Sequence, residues 1–287
     1  AFDDIEYKNR QINDSITYAQ KIQQAVLPSP ASLQEAVHSH FVLLRPRDKV
    51  SGDFYWYRSL EIPGKPEAKQ TRQMIAAADC TGHGVPGAFM SMLGVSFLKE
   101  IATGRPEATA GEMLDELRQK VKEALKQEGK HQEQKDGMDM ALCLIDRHKG
   151  NLQFAGAHNS LYLIRKTEHM PEFAKKQVKL LQQGDYTLAE FKADRQPISV
   201  HLKERPFSTK YIDIRKGDKL YMFSDGFADQ AGGKDGRKYM TRNFKRLLLQ
   251  VHQHAMPEQK RMLNNYFEAW KKGRHQIDDV LVMGIKV

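Results

Sequence analysis

Short apolar runs separated by turn-forming residues constrain this chain more than any other feature. Residues 41–44, 74–78, 140–145, 161–164, 220–223 and 280–287 have the length and β-branched or aromatic content of strands. Turn residues at 146–150 and 215–218 are expected to join adjacent strands as hairpins, which implies antiparallel sheet. Helical periodicity appears between them. Residues 87–101 carry Phe89, Leu93, Phe97 and Ile101 at helical spacing, and Phe89, Met90, Leu93 and Phe97 are expected in the core. Thr109-Ala110-Gly111-Glu112 is a capping box, opening a helix that buries Leu114, Leu117, Val121 and Leu125. Residues 242–251 and 257–270 predict two more helices, the second with proline in its first turn. Strands and helices do not alternate strictly, so the class is α+β, not a doubly wound sheet. The polar stretch 166–194 fits no clear element and is expected to contain an insertion or mobile loop.

The first segment differs from the rest. From Asp3 to Leu27 there is no glycine or proline, and Ile5, Ile12, Ile16, Ala19, Ile22 and Val26 form one apolar stripe, closed by Pro28-Ser29-Pro30. Ile5, Ile12, Ala19 and Val26 keep a heptad beat, which favours a coiled-coil linker or dimer arm, with a homodimer expected, over the other reading, a helix packed on its own domain. The expected organisation is a helical linker over 1–29 and one domain over 30–287. An upstream sensor, part of a longer protein, would feed into the linker. The formal charge is +9, but the Lys and Arg are dispersed and no nucleic-acid-binding motif is present. The expected partner is therefore an acidic or phosphorylated protein, not nucleic acid. No apolar stretch approaches the ~20 residues of a membrane span, so a membrane enters only through a missing upstream region. Two cysteines, Cys80 and Cys143, make no disulfide framework, and a cytoplasmic setting is expected. No P-loop or dinucleotide fingerprint occurs.

Four acidic sites lie at the ends of apolar runs or beside glycine: Asp53, Asp79, Asp225 and the pair Asp278-Asp279. Isolated aspartates there are ordinarily turn formers; four such sites suggest convergence. An all-oxygen cluster suits Mg²⁺ or Mn²⁺ and not zinc. Four gathered carboxylates repel one another, and two divalent cations would neutralise them. Water activated by two metals attacks phosphate esters, so the acids suggest metal-assisted phosphoester hydrolysis.

These residues stand in motifs with a familiar order. Val50-Ser51-Gly52-Asp53-Phe54-Tyr55, Ala78-Asp79-Cys80-Thr81-Gly82-His83-Gly84-Val85-Pro86-Gly87-Ala88, Phe154-Ala155-Gly156-Ala157-His158-Asn159, Phe223-Ser224-Asp225-Gly226-Phe227 and Asp278-Asp279-Val280 resemble the pattern of metal-dependent, protein phosphatase 2C-like (PPM-type) serine/threonine phosphatases. Within these the chain is similar to the bacterial SpoIIE-like branch, whose linker helix residues 16–28 also resemble. The resemblance implies an αββα sandwich of two antiparallel β-sheets flanked by helices. It implies two divalent cations, Mn²⁺ or Mg²⁺, with Asp79 bridging both. Asp53 and the backbone carbonyl of Cys80 would complete one site, and Asp225 and Asp278 the other, with Asp279 as the alternative to Asp278. It further implies a phosphoserine or phosphothreonine protein as substrate, such as a STAS-domain anti-anti-sigma factor in a partner-switching pathway.

Three departures from the branch are Trp56 where many relatives have an acid, Leu281 where Thr is common, and Pro197-Ile198-Ser199 in place of Pro-Leu-Gly. His83 and His158 are read as structural, with general-acid work by His83 as the other reading. Asp136 and Asp139 are read as caps before a strand, with a further metal site as the alternative. Arg45 or Arg47 would be available for a substrate phosphate, with solvated surface charge as the default. Two rival functions remain: a catalytically silent phosphoprotein-binding module, and a basic nucleic-acid-binding or phosphodiesterase protein.

Overall fold

Alternate residues along the strands enter different cores, and this sorting builds the layers. The structure is a computed structural model and describes residues 2–29, 33, 37, 39–62, 70–128, 135–172 and 178–287. In chain order the elements are α1 (Phe2–Val26), β1 (His40–Arg45), β2 (Phe54–Ile62), β3 (Gln70–Cys80), α2 (Gly84–Gly104) and α3 (Ala110–Ala124). Then follow β4 (Met138–Asp146), β5 (Asn151–Ala157), β6 (Leu161–Lys166), β7 (Val178–Gln183), β8 (Tyr186–Phe191), β9 (Lys210–Asp213) and β10 (Lys219–Phe223). The chain ends with α4 (Gly226–Asp229), β11 (Ala231–Gly232), β12 (Arg237–Lys238), α5 (Thr241–Val251), α6 (Met256–Lys271) and β13 (Val280–Lys286).

A six-stranded sheet has the order β1-β13-β10-β6-β8-β7, and a five-stranded sheet the order β2-β3-β4-β5-β9. Every pairing within them is antiparallel. On β3, Ile75 and Ala77 face the other sheet, where they meet Leu220, Met222, Leu281 and Met283. Their neighbours Met74, Ala76 and Ala78 instead pack under Leu98 and Ile101 of α2 and Leu114 and Leu117 of α3. On the far side Tyr221, Val280 and Val282 pack under Phe244 and Leu248 of α5 and Leu263 and Phe267 of α6. The period-2 sorting thus gives three apolar layers and an αββα sandwich, as expected from the sequence. The capping box forms: the Thr109 amide donates to Glu112 Oε2 (2.8 Å), and the Glu112 amide to Thr109 Oγ1 (3.4 Å).

Four sequence readings need correction. The stretch 166–194 does hold elements: β7 and β8 pair as a hairpin that extends the six-stranded sheet, while 173–177 lie outside the described residues. The turn at 215–218 is not a hairpin, because β9 pairs with β5 in one sheet and β10 with β6 and β13 in the other. Phe89 is 66% exposed. The face of α2 that meets the sheet is built from small residues (Gly87, Ala88, Ser91, Gly94), with Val95 and Leu98, and Phe89 lies to one side of it. A Cβ on Gly94 would sit 2.7 Å from the Phe54 ring, so a close helix–sheet approach sets that choice. Asp139 does not cap β4; it lies within it.

α1 is only partly docked. Ile16, Ala19 and Leu27 are half-buried and Gln23 is buried, whereas Ile5 and Ile12, on the same stripe, are 59% and 57% exposed. The helix α2 is long and apolar enough to cross a membrane by length and composition, but half of that stretch is buried and forms the core layer above.

The crossing at 215–218 is secured by a buried ion pair. Arg165 on β6 donates through Nε and Nη2 to both oxygens of Asp218 (2.9 and 2.6 Å), and through Nη2 to the Asp213 carbonyl (2.8 Å). Deleting one partner leaves the other charge buried. Asp218→Ala should therefore lower the unfolding free energy by about 3–5 kcal/mol, read from urea unfolding; a loss below about 1 kcal/mol would mean the pair behaves as a surface one.

Candidate metal centre

At one end of the sandwich the inward-facing positions of the strands change from apolar to acidic. Asp79 is in phase with Ile75 and Ala77 on β3, and Asp139 with Ala141 and Cys143 on β4; the two are direct partners in the ladder. Asp53 precedes β2 in phase with Tyr55, one residue beyond the pair Phe54↔Ala78. Asp225 stands between β10 and α4, and Asp278 and Asp279 lead into β13. Asp79, Asp139, Asp225 and Asp278 line one pocket of about 230 Å³, with the Thr81-Gly82-His83 turn, Cys80 and Pro197 completing its wall.

Asp53 lies behind this pocket, 2% exposed. Ser224 Oγ donates to Asp53 Oδ2 (2.5 Å) and accepts from the Leu281 amide (2.9 Å), which fixes the hydroxyl's direction. The adjacent acids of the last motif separate clearly. Asp279 accepts the amides of Arg47 and Gly52, each at 2.7 Å, and so ties the loop before β2 to β13. Asp278 instead lines the pocket, its Oδ1 also accepting the Asp279 amide (2.8 Å). Glycine permits the close approaches. A Cβ at Gly226 would fall 1.9 Å from the Asp279 carbonyl oxygen, and one at Gly87 would fall 2.4 Å from that of Gly82.

Crowding of like charge out of water marks these groups. Burial, then Asp225, Asp278 and Asp139, push the Asp79 carboxyl up to about 8. Burial, then Asp229, Asp278 and Asp139, push Asp225 up to about 6, against the opposing pull of Lys238. Asp53 is raised well above the usual range by burial and then by Asp79, while the Ser224 hydrogen bond works the other way. Burial also raises Asp139, which His158 restrains through a 2.9 Å contact of its Nδ1 with Asp139 Oδ1. Among the described residues no three acids, histidines or cysteines stand as a preformed ligand cage. The donor chemistry nevertheless fits hard divalent cations. The oxygens are anionic and mutually repelling, and burial raises the Cys80 thiol, which disfavours a thiolate ligand there.

The remaining expectations fall out as follows. Arg45 is committed to α6, where its guanidinium bonds Asn264 and Glu268 and lies over the Phe267 ring. Arg47 Nη1 donates to the Ile277 carbonyl (3.2 Å), beside Asp278. His83 Nδ1 contacts Asp48 Oδ2 at 3.0 Å. Trp56 and Leu281 are core residues, and Ile198 bridges to Met138, which puts Pro197 at the pocket wall. Asp139, read first as a cap with a further metal site as the alternative, lines the pocket, and two contributors were missed from the sequence: the Ser224 hydroxyl and Gln230. Gln230 is fully buried; its amide donates to the His275 carbonyl (3.0 Å) and accepts from the Ile277 amide (3.2 Å), joining the Asp225 segment to that of Asp278.

The loop that ends in Asp53 is gripped by α1. Gln23 pairs with Ser51 through both ends of its amide, donating to the carbonyl (2.6 Å) and accepting from the N–H (3.1 Å), and it also donates to Ser91 Oγ (2.9 Å). Lys49 Nζ donates to Thr17 Oγ1 (3.0 Å) and the Asn13 carbonyl (3.3 Å).

The family model for stage II sporulation protein E (SpoIIE) matches residues 69–287. Among solved structures, the SiaA-PP2C domain of Pseudomonas aeruginosa is 28% identical, with 98% of each chain covered and a TM-score of 0.76. The PP2C phosphatase domain of SpoIIE from Bacillus subtilis, solved with a fragment of its regulatory domain, is 16% identical over 87% of this chain and 63% of that one, with a TM-score of 0.62. RsbX in complex with magnesium is 12% identical over 86% and 94%, with a TM-score of 0.52. Among curated proteins the chain has no match.

The electrostatics predict a pH signature. Asp79 ionises near 3.8 when unfolded and near 8 when folded, so the folded, metal-free protein holds an extra proton between those values. Its stability should therefore fall as pH rises from about 4 to about 8 and level off beyond. Asp79→Asn removes this penalty. At pH 8 in chelator the variant should melt roughly 3–8 °C above the wild type, with the gap closing toward pH 4; equal melting at both pH values would contradict the repulsion account.

Proposed function

The chain belongs to the SpoIIE family and has the fold of PP2C-type phosphatase domains, and from that premise we propose that it hydrolyses phosphoserine or phosphothreonine on a signalling protein in a reaction that depends on two divalent cations, Mn²⁺ or Mg²⁺. The observation that carries this reading is the meeting of Asp79, Asp139, Asp225 and Asp278, from four separate segments, in one pocket with Asp53 behind it. Bound cations would supply Lewis acidity, lowering the pKa of water and drawing charge from the phosphate oxygens.

The protein's own residues do the rest. Asp79, between the other acids, is the natural shared ligand. Asp53 and the Cys80 carbonyl would hold one ion, and Asp225 and Asp278 the other. Ser224 orients Asp53, and the amides that occupy Asp279 leave it a tether for the loop. The pocket, at about 230 Å³, has room for a phosphorylated side chain presented on a projecting residue of the substrate. A small STAS-domain anti-anti-sigma factor of a cytoplasmic partner-switching pathway is the substrate this reading favours, on family grounds.

The helix α1 supplies the proposed control. Its exposed Ile5 and Ile12 suit a homodimer arm fed by an upstream sensor, and Gln23 and Lys49 link its position to the loop bearing Asp53. A change in helix packing would bias the metal-competent arrangement of that loop.

Phosphate release from phosphoserine peptides in Mn²⁺ tests the activity. Asp79→Ala and Asp225→Ala should fall to background, chelator should abolish wild-type turnover, and Ser224→Ala should weaken metal affinity or activity by roughly 10–100-fold. Wild-type turnover in Asp79→Ala would sink the site assignment. For the arm, Ile5→Asp combined with Ile12→Asp should give monomers by light scattering, since both side chains are exposed in the single chain; an unchanged dimer would place the interface elsewhere.

A further inference from the structure

The hairpin β11–β12 follows α4, the short helix that begins immediately after the pocket residue Asp225. Its base is rigid. The Trp270 indole N–H donates to the Gln230 carbonyl (2.8 Å), which also accepts the Tyr239 amide (3.0 Å). A Cβ on Gly232 would lie 2.2 Å from the Trp270 carbonyl, so the hairpin is pressed onto α6. On β12, Lys238 Nζ bonds Asp229 Oδ2 at 2.6 Å, and Asp229 sits one helical turn past Asp225, its amide donating to the Asp225 carbonyl (2.9 Å). The ammonium is close enough to Asp225 to act on its charge. Strand alternation sends Arg237 to the opposite side.

We infer that Lys238 binds an acidic side chain flanking the phosphorylated residue of the substrate protein, and so acts as a specificity-determining residue one helical turn beyond Asp225. The inference rests on the phosphatase reading. An ammonium has three donors; Asp229 engages one, and the side chain remains 56% exposed, so donors face the solvent from which a substrate arrives. Among the described residues the pocket wall holds no lysine or arginine, and Arg45 is spent on α6. The phosphate itself belongs among the acids and their cations. Asp229, one helical turn past Asp225, holds Lys238, so a residue flanking the phosphorylated one would be the group it meets. The net charge of +9 would attract an acidic partner to the protein over longer range.

The test compares two phosphoserine peptides that differ only in having Glu or Gln beside the phosphoserine, each assayed in Mn²⁺ with wild type, Lys238→Met, Lys238→Arg and Lys238→Glu. The wild type should prefer the Glu peptide in kcat/KM. Lys238→Met should lower that preference roughly three- to fivefold, mostly through KM; Lys238→Glu should invert it, and Lys238→Arg should keep it. A structural role, or an effect relayed through Asp225, would slow both peptides alike and leave the ratio unchanged, and that result overturns the inference. Absence of any wild-type turnover on either peptide would instead bring down the phosphatase reading, and this inference with it.

Discussion

Carboxylates forced together at the open end of an apolar sandwich are the interaction on which the molecule turns. Each sheet sends every second residue into the layer between them, and at one end Asp53, Asp79 and Asp139 occupy positions that elsewhere hold Ala, Cys, Ile or Tyr. Burial raises the cost of ionising these groups, and proximity raises it again. Such a cluster is poorly stable as a set of free anions. It becomes favourable when cations hold it, which makes it suited to binding them.

The surrounding structure serves to keep the acids close. Gly226 and Gly87 remove Cβ atoms where the backbones of three segments cross, Ser224 fixes Asp53, and Asp279 spends both oxygens on the loop before β2. Gln230 binds the segment before Asp278 to the one after Asp225. Through Gln23 and Lys49 the same framework reaches α1, so a largely exposed helix is in hydrogen-bonded contact with the loop that bears Asp53. This continuity gives a regulatory signal a physical route without a new contact at the pocket itself.

Much of this was legible in the sequence. The apolar runs at 74–78, 140–145 and 280–287 lie in central strands, and the capping box at Thr109 forms as its side chains require. The acids at strand ends stood out because aspartate there breaks an apolar pattern. Asp139 was read first as a cap and only second as a metal site, although its phase with Ala141 and Cys143 was available and would have turned it inward. Phe89 was misplaced because a stripe of large residues outweighed the small ones, and close helix–sheet packing selects the small face. The crossing at 215–218 resembles a hairpin turn locally; only the buried partner Arg165, distant in sequence, distinguishes the two. The roles of Ser224 and Gln230 depend on which chain segments meet, and no local pattern encodes that.

Crystals soaked in Mn²⁺ and measured for anomalous scattering give the most direct test. Two peaks should appear at the end of the sandwich, one within bonding distance of Asp53 and the Cys80 carbonyl, the other of Asp225 and Asp278, with Asp79 reaching both. Peaks elsewhere on the surface, or none at saturating Mn²⁺, would contradict the account that these carboxylates are gathered to hold metal.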